Sequence, residues 1–322
     1  MANVSRSNST SKVLNTMVDQ ELTFPLQVSY ITNIIFNSIS CPFTLLLNVL
    51  VILAVKSRPR LQSKPNILLA CLAATDAMNG LAAQPAFIFA LTLTLLRKNK
   101  QTLEFSIVTG IQNLVSRTLF VCSALHLILV TWERLVAIKF TMNYPYIVTN
   151  RNIKLAVIAF WIVCLSSELV ALITNQTIFT NALTGLVLIS CVIFVSFSYG
   201  MLYRETRRHE RLIKAGQLPQ EEKERFSKES KALKTTVYVV GAVLICLTPV
   251  AAWLLVSSIL RVSDEEFWVQ LTQLRQLTRS TVRTLVNLNS LLNPIIYCWR
   301  QKEMRQFVFS KFWASQDVHP AN

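Results

Sequence analysis

Glycine and charge are both scarce in this chain: only six glycines among 322 residues, and 15% charged residues against 52% hydrophobic ones. The mean hydropathy is +0.43. Long uncharged runs follow, and they argue against a soluble domain. Acidic residues are also few, leaving a formal charge of +15, yet the basic residues cluster at the ends of apolar runs and form no patch interleaved with aromatics. That distribution excludes nucleic acid as a partner. All seven cysteines, from Cys41 to Cys298, fall inside or at the end of apolar segments, and none is spaced as a metal ligand, so neither a disulfide nor a zinc site is expected. His126, His209 and His319 are scattered, with no nucleophile–base pairing, which argues against an enzyme. Inverted repeats and helices broken by paired Gly and Pro are missing too, against a transporter or channel. Residues 1–23 are polar and do not read as a cleavable signal; the run from about 28 to 55 serves as the first anchor.

What is present is seven apolar stretches of helical length, near 28–55, 65–96, 105–138, 152–173, 180–203, 232–260 and 268–298. A bilayer span requires about 20 such residues in a helix, because unpaired backbone groups are costly in hydrocarbon. The fold expected is an all-α membrane protein, a seven-transmembrane helix bundle over 28–298. An extracellular tail (1–27) precedes it, and a cytoplasmic amphipathic helix and tail (299–322) follow. The outer end of the last stretch is polar, carrying Asp264, Glu265, Glu266, Arg275 and Arg279. Lysine and arginine set the orientation: 22 lie on the side of the odd-numbered connections and the carboxyl tail, eight on the other. The tail-bearing side is therefore cytoplasmic. The glycosylation sequons at Asn3, Asn8 and Asn175 all fall on the opposite, extracellular side. Residues 204–231 mix both charge signs and read either as a solvated face or as a docking surface for a cytoplasmic partner.

Polar groups in hydrocarbon are expensive and mark function. Asp76 lies 12 residues past Lys64 and Asn289 lies 11 before Arg300, which puts both at about 16–18 Å from the inner end. Ser123, 11 before Arg134, has a similar depth, and Asn293 is nearby. One carboxylate, one hydroxyl and two amides at mid-membrane suit either a hard monovalent cation or a satisfied packing network.

At this point the chain resembles the rhodopsin-like (class A) G-protein-coupled receptors from Asn48 to Phe307. Asn48 resembles the first-helix asparagine, Asp76 in Leu-Ala-Ala-Thr-Asp the second-helix aspartate, and Glu133-Arg134-Leu135 the inner third-helix acid-Arg-aromatic motif. Trp161 resembles the fourth-helix tryptophan, Cys246-Leu247-Thr248-Pro249 the sixth-helix proline motif, and Asn293-Pro294-Ile295-Ile296-Tyr297 is an intact Asn-Pro-x-x-Tyr. The resemblance implies a plasma-membrane receptor that binds an extracellular ligand and activates a heterotrimeric G protein. It implies a sodium site at Asp76, Ser123, Asn289 and Asn293, and a clamp in which Glu133 and Glu229 hold Arg134. Release of the clamp swings helix six outward about Pro249, and Tyr199 and Tyr297 regroup around the freed arginine. No other cofactor is implied.

The departures are as specific. Thr109 stands where most members carry a cysteine, Cys191 replaces the fifth-helix proline, and Leu247 replaces the sixth-helix tryptophan. The missing disulfide, missing proline and short second extracellular loop resemble the melanocortin, cannabinoid and lysophospholipid receptor group. Arg117 lies 17 residues outward of Arg134, and Arg283 lies 11 before Pro294, so both sit in the extracellular half. Two buried guanidinium groups need anions. A ligand carboxylate or phosphate on a small molecule, lipid or peptide would serve; alternatively Glu168 neutralises Arg117 internally. An amine ligand is disfavoured, because Ser116 and Arg117 occupy the place where amine receptors carry an aspartate.

Overall fold

The computed structural model describes residues 22–96, 103–140, 143–174, 177–216, 241, 244–263, 267 and 271–313. Its helices are α1 (Phe24–Ser57), α2 (Lys64–Leu96), α3 (Leu103–Lys139), α4 (Asn150–Thr174), α5 (Thr177–Lys214), α6 (Leu244–Ser263), α7 (Thr272–Arg300) and α8 (Lys302–Trp313). The first six are long and apolar enough to cross a membrane, judged within the described residues. At 29 residues, α7 spans about 43 Å at 1.5 Å per residue, but its composition is too polar to qualify by hydropathy. Its polar residues face other helices: Ser280, Thr284, Asn287, Asn289, Ser290 and Asn293 are all buried. Expected as an apolar stretch from 268, α7 begins at Thr272, and it buries this polar set while Leu274, Ile295 and Trp299 are exposed.

The bundle is patterned for lipid as solvent. On α1, Ile31, Ile35 and Phe43 are exposed while Asn33, Asn37, Thr44 and Asn48 are buried. The buried set recurs at intervals of four, seven and four residues, one face of a helix. Apolar side chains cost nothing facing acyl chains, whereas amides must find partners inside. α4 carries the same logic to the periphery, with Ile158, Ile162, Leu165 and Leu169 exposed and few residues buried.

Three local features set helix positions. α1 opens on Pro25 in its first turn, where a missing N–H costs nothing, and it ends at Arg58, whose N–H bonds Ala54 O. α2 contains a π turn at Asn79–Ala83 where it meets α1. A Cβ on Gly80 would lie 2.9 Å from the Leu45 backbone nitrogen, so only glycine permits this approach. Cys41 Sγ donates to Gly80 O at 3.1 Å in the same contact. α5 ends at Gly216, whose φ of +71° stops the helix as left-handed glycines commonly do.

The inner ends are tied together. Lys64 Nζ donates to Asn150 Oδ1, joining the starts of α2 and α4. After Gln301, in extended conformation, the chain turns into α8, whose Met304, Phe307 and Val308 are buried while Phe309 is exposed. Arg58 lies over the Phe307 ring at 5.8 Å, and Gln301 Nε2 donates to Asn66 Oδ1. All seven cysteines are free thiols.

Candidate functional site

A cavity of about 790 Å³ lies among α3, α4, α5, α6 and α7 at the end of the bundle away from Glu133 and Arg134. Arg117, Ser116, Glu168 and Arg283, singled out from the sequence, all line it. Arg117 Nε and Nη2 donate to the two Glu168 carboxylate oxygens at 2.6 Å each, and Nη1 donates to Asn181 Oδ1 at 3.1 Å. A paired fork of this kind is the strong form of the Arg–carboxylate contact. Glu168 is thus an internal counterion for Arg117. Ser116, buried, accepts from Gln112 Nε2 at 3.2 Å.

Three further arginines line the same cavity: Arg261, Arg275 and Arg279. Together with Arg117 and Arg283 they make five guanidinium groups facing one carboxylate among the described lining residues. Arg275, Arg279 and Arg283 recur every four residues on α7, which places them on one stripe. Arg279 Nη2 and Arg283 Nη1 both donate to the single amide oxygen Asn113 Oδ1, at 2.7 and 3.0 Å, and Arg283 lies 5.9 Å from the centre of the Phe87 ring. The sequence reading counted Arg275 and Arg279 only as a polar outer boundary; their spacing with Arg283 was the available signal. Below the arginines, Phe120, Val250 and Val286 give the cavity an apolar floor.

One helix wall of the cavity continues inward as a hydrogen-bonded seam between α1 and α7. Asn287, on the cavity lining, donates through Nδ2 to Asn37 Oδ1 at 2.7 Å. Asn37 Nδ2 donates to Thr284 Oγ1 at 3.0 Å, and Thr284 Oγ1 donates to Asn33 Oδ1 at 2.9 Å. Further in, Asn48 Nδ2 donates to the Ser290 carbonyl at 2.9 Å.

The seam meets the Asp76 network, whose carboxylate is fully buried. Asp76 Oδ1 accepts from Ser290 Oγ at 2.8 Å and from Ser123 Oγ at 3.4 Å, and Oδ2 accepts from Asn293 Nδ2 at 2.7 Å. Ser290, which sequence reasoning passed over, is the closest hydroxyl, and it also accepts from Asn79 Nδ2 at 3.1 Å. Asn289 is buried in α7, and among the described residues neither its Oδ1 nor Asn293 Oδ1 has a partner. A carboxylate, two hydroxyls and unsatisfied amide oxygens are the donor set a hard monovalent cation takes.

At the end of the bundle opposite the cavity, Arg134 Nε sits 3.3 Å from Glu133 Oε2, and both side chains are buried. Tyr144, from the short turn Tyr144–Ile147, donates its hydroxyl to Glu133 Oε1 at 2.6 Å. This partner lies between spans, where hydropathy draws no attention. Tyr297 is fully buried with its hydroxyl unpartnered, and Tyr199 packs beside Ile138 and Leu202. Pro249 lies inside α6 and Pro294 inside α7. Glu229 and the sequons at Asn3, Asn8 and Asn175 lie outside the described residues.

Known proteins carry the same pattern. The histamine H2 receptor of Rattus norvegicus is 24% identical to this chain over 294 residues, covering 84% of the chain and 77% of that receptor. The family described as 7 transmembrane receptor (rhodopsin family) matches residues 47–182 and 174–297, from the end of α1 to Tyr297. The match takes in Asn48, Asp76, Glu133-Arg134 and the Asn-Pro-x-x-Tyr of α7, so this multi-pass helical chain belongs to the rhodopsin family of seven-transmembrane receptors, whose members are receptors that signal through G proteins.

Proposed function

We propose that this receptor resides in the plasma membrane with its amino terminus outside, binds an anionic ligand in the arginine-lined cavity, and activates a heterotrimeric G protein through outward movement of α6. The observation that carries the ligand class is the excess of guanidinium groups over carboxylates in the cavity wall. Coulombic attraction in a partly dehydrated cleft favours an anion there, and it repels a protonated amine. For that reason the likeness to a histamine receptor does not extend to the ligand.

In this reading the inner residues divide the work. Glu133 holds Arg134 with the help of Tyr144, and Glu229, twenty residues before Pro249 in the sequence, completes the clamp. When the clamp opens, α6 pivots at Pro249 and Tyr199 and Tyr297 regroup around Arg134. Asp76, Ser123, Asn289 and Asn293, with Ser290, would hold sodium, which supplies a positive charge against the buried carboxylate. A cation bound more tightly by the resting state shifts the population towards it.

The experiment is a G-protein activation assay in cells displaying the receptor, with carboxylate, phosphate-lipid and peptide ligands, comparing wild type with Arg134→Ala and Glu229→Ala. An anion-evoked response in wild type, lost in Arg134→Ala at equal surface expression, is expected. Glu229→Ala is expected to raise ligand-free signalling. A response confined to cationic ligands would overturn the anionic reading.

A further inference from the structure

Of the five arginines in the cavity, Arg117 has its carboxylate, and Arg279 and Arg283 have none among the described residues. Among the described residues the hydrogen-bond partner of both is one neutral oxygen, Asn113 Oδ1. A single amide dipole shared between two guanidinium groups carries only partial negative charge, so it leaves their two positive charges without a counterion. Arg279 and Arg283 are one helical turn apart, about 5–6 Å between Cβ atoms, so their forks converge on a volume the size of one small head group. Arg117, already neutralised, forms the facing wall on α3. Beneath this point the floor turns apolar at Phe120, Val250 and Val286.

We propose that Arg279 and Arg283 together bind a doubly charged anionic head group, a phosphate monoester being the best match, carried on a short apolar tail that extends onto the Phe120–Val250–Val286 floor. The inference rests on the anionic-ligand reading and adds charge number and polarity axis. A monoanion satisfies one fork and leaves the other facing Asn113 alone. A dianion supplies oxygens to both and releases the Asn113 amide. A cavity of about 790 Å³ is within the range of small-molecule sites, and its polar wall above an apolar floor orients the ligand head outward. Arg117→Ala then acts on the receptor through the loss of the Glu168 pair and not through loss of a ligand contact.

The test uses the purified full-length receptor in nanodiscs at pH 7.5, where a phosphate monoester is mostly dianionic. Four probes are compared by direct binding: hexyl phosphate, hexanoate, hexanol and inorganic phosphate. Hexyl phosphate is expected to bind at least about tenfold more tightly than hexanoate, and inorganic phosphate more weakly than hexyl phosphate. Arg279→Lys and Arg283→Lys, which keep the charge but lose the fork, are each expected to remove most of the advantage over hexanoate. Arg279→Gln and Arg283→Gln are expected to remove it entirely. Equal affinity for hexanoate and hexyl phosphate in wild type would overturn the two-charge head and leave the anionic reading standing. Hexanol binding as tightly as either would overturn both. Inorganic phosphate matching hexyl phosphate would remove the tail from the floor, and an advantage undiminished in all four variants would remove Arg279 and Arg283 from the site.

Discussion

The two sides of this bundle are held by different chemistry. Where α1, α2 and α7 meet, apolar packing of Leu26, Tyr30, Phe87 and Leu91 is joined by side-chain hydrogen bonds: Asn37 to Thr284, Asn287 to Asn37, Asn48 to the Ser290 carbonyl, and Ser290 and Asn293 to Asp76. Where α5 meets α6 the packing is apolar, with Leu188, Cys191 and Val195 in the same core as Leu247, Val250 and Ala251. Gly185 on α5 lies against Leu254 and Leu255 of α6. Hydrogen bonds between spans have direction and one register, while apolar surfaces in lipid slide with little penalty, since acyl chains are as apolar as leucine. The polar side is thus suited to stay in place, and the apolar side to move. Under the proposed outward movement of α6, the hydrogen-bonded α1–α2–α7 side would serve as the fixed frame. Leu247 and Cys191, which stand where relatives usually have tryptophan and proline, fall on the apolar α5–α6 side.

The sharpest way to break this contrast is at Asp76. Asp76→Leu leaves Ser290, Asn293 and Ser123 without their shared acceptor. Orphaned buried donors cost about 1–3 kcal/mol each, and relaxation makes the sum sub-additive, so a loss of about 3–5 kcal/mol is expected in thermal unfolding of the purified receptor. A loss below about 1 kcal/mol would mean that the network fills space without fixing register.

Gly80→Ala strikes the same side by sterics. Its new Cβ would meet backbone, Leu45 N at 2.9 Å and Cys41 O at 3.3 Å, and backbone gives way less readily than a side-chain tip. Overpacking of this kind costs about 1–3 kcal/mol. The added methyl must push α1 away from the π turn, so a variant that unfolds at the wild-type temperature would show that α1 and α2 are not tightly apposed at Gly80.

How much of this was legible beforehand follows from which signal each residue emits. Hydropathy sums over about 20 residues, so seven stretches stood out in the sequence, the last with a polar outer end and an Asn-Pro-x-x-Tyr; in the structure α7 falls short by hydropathy among the described helices. Arg117, Glu168 and Arg283 were visible because a charge inside an apolar run is conspicuous one residue at a time. Arg275 and Arg279 were not, because at the polar end of a run a charge is ordinary; only their four-residue spacing with Arg283 sets them apart. Asn33 and Asn37 went unremarked for the converse reason. Single amides in an apolar helix are unexceptional until their common face is known. Asn289 and Ser290 lie about 40° and 60° to either side of Asn293 around the helix, so spacing alone could not tell that Ser290, with Asn293, bonds Asp76.

The smallest expected difference is also the most direct test of the contrast, because it compares two swaps of similar size. Asn37→Leu keeps the approximate volume and removes the bonds to Thr284 and Asn287. Interhelical bonds within membranes average about 0.6 kcal/mol and reach about 1.7, so a loss of about 1–2 kcal/mol is expected. Leu188→Met, at a fully buried position of α5, conserves volume as well and leaves no polar group behind; such swaps cost under about 1.5 kcal/mol, and a value near zero is expected. The two variants should separate further in signalling. Asn37→Leu loosens the frame against which α6 moves and should shift ligand-free activity, while Leu188→Met should leave it at the wild-type level. If Leu188→Met proves the more damaging of the pair in both unfolding and basal signalling, register is set by apolar packing on the α5–α6 side, and the assignment of frame and moving part must be reversed.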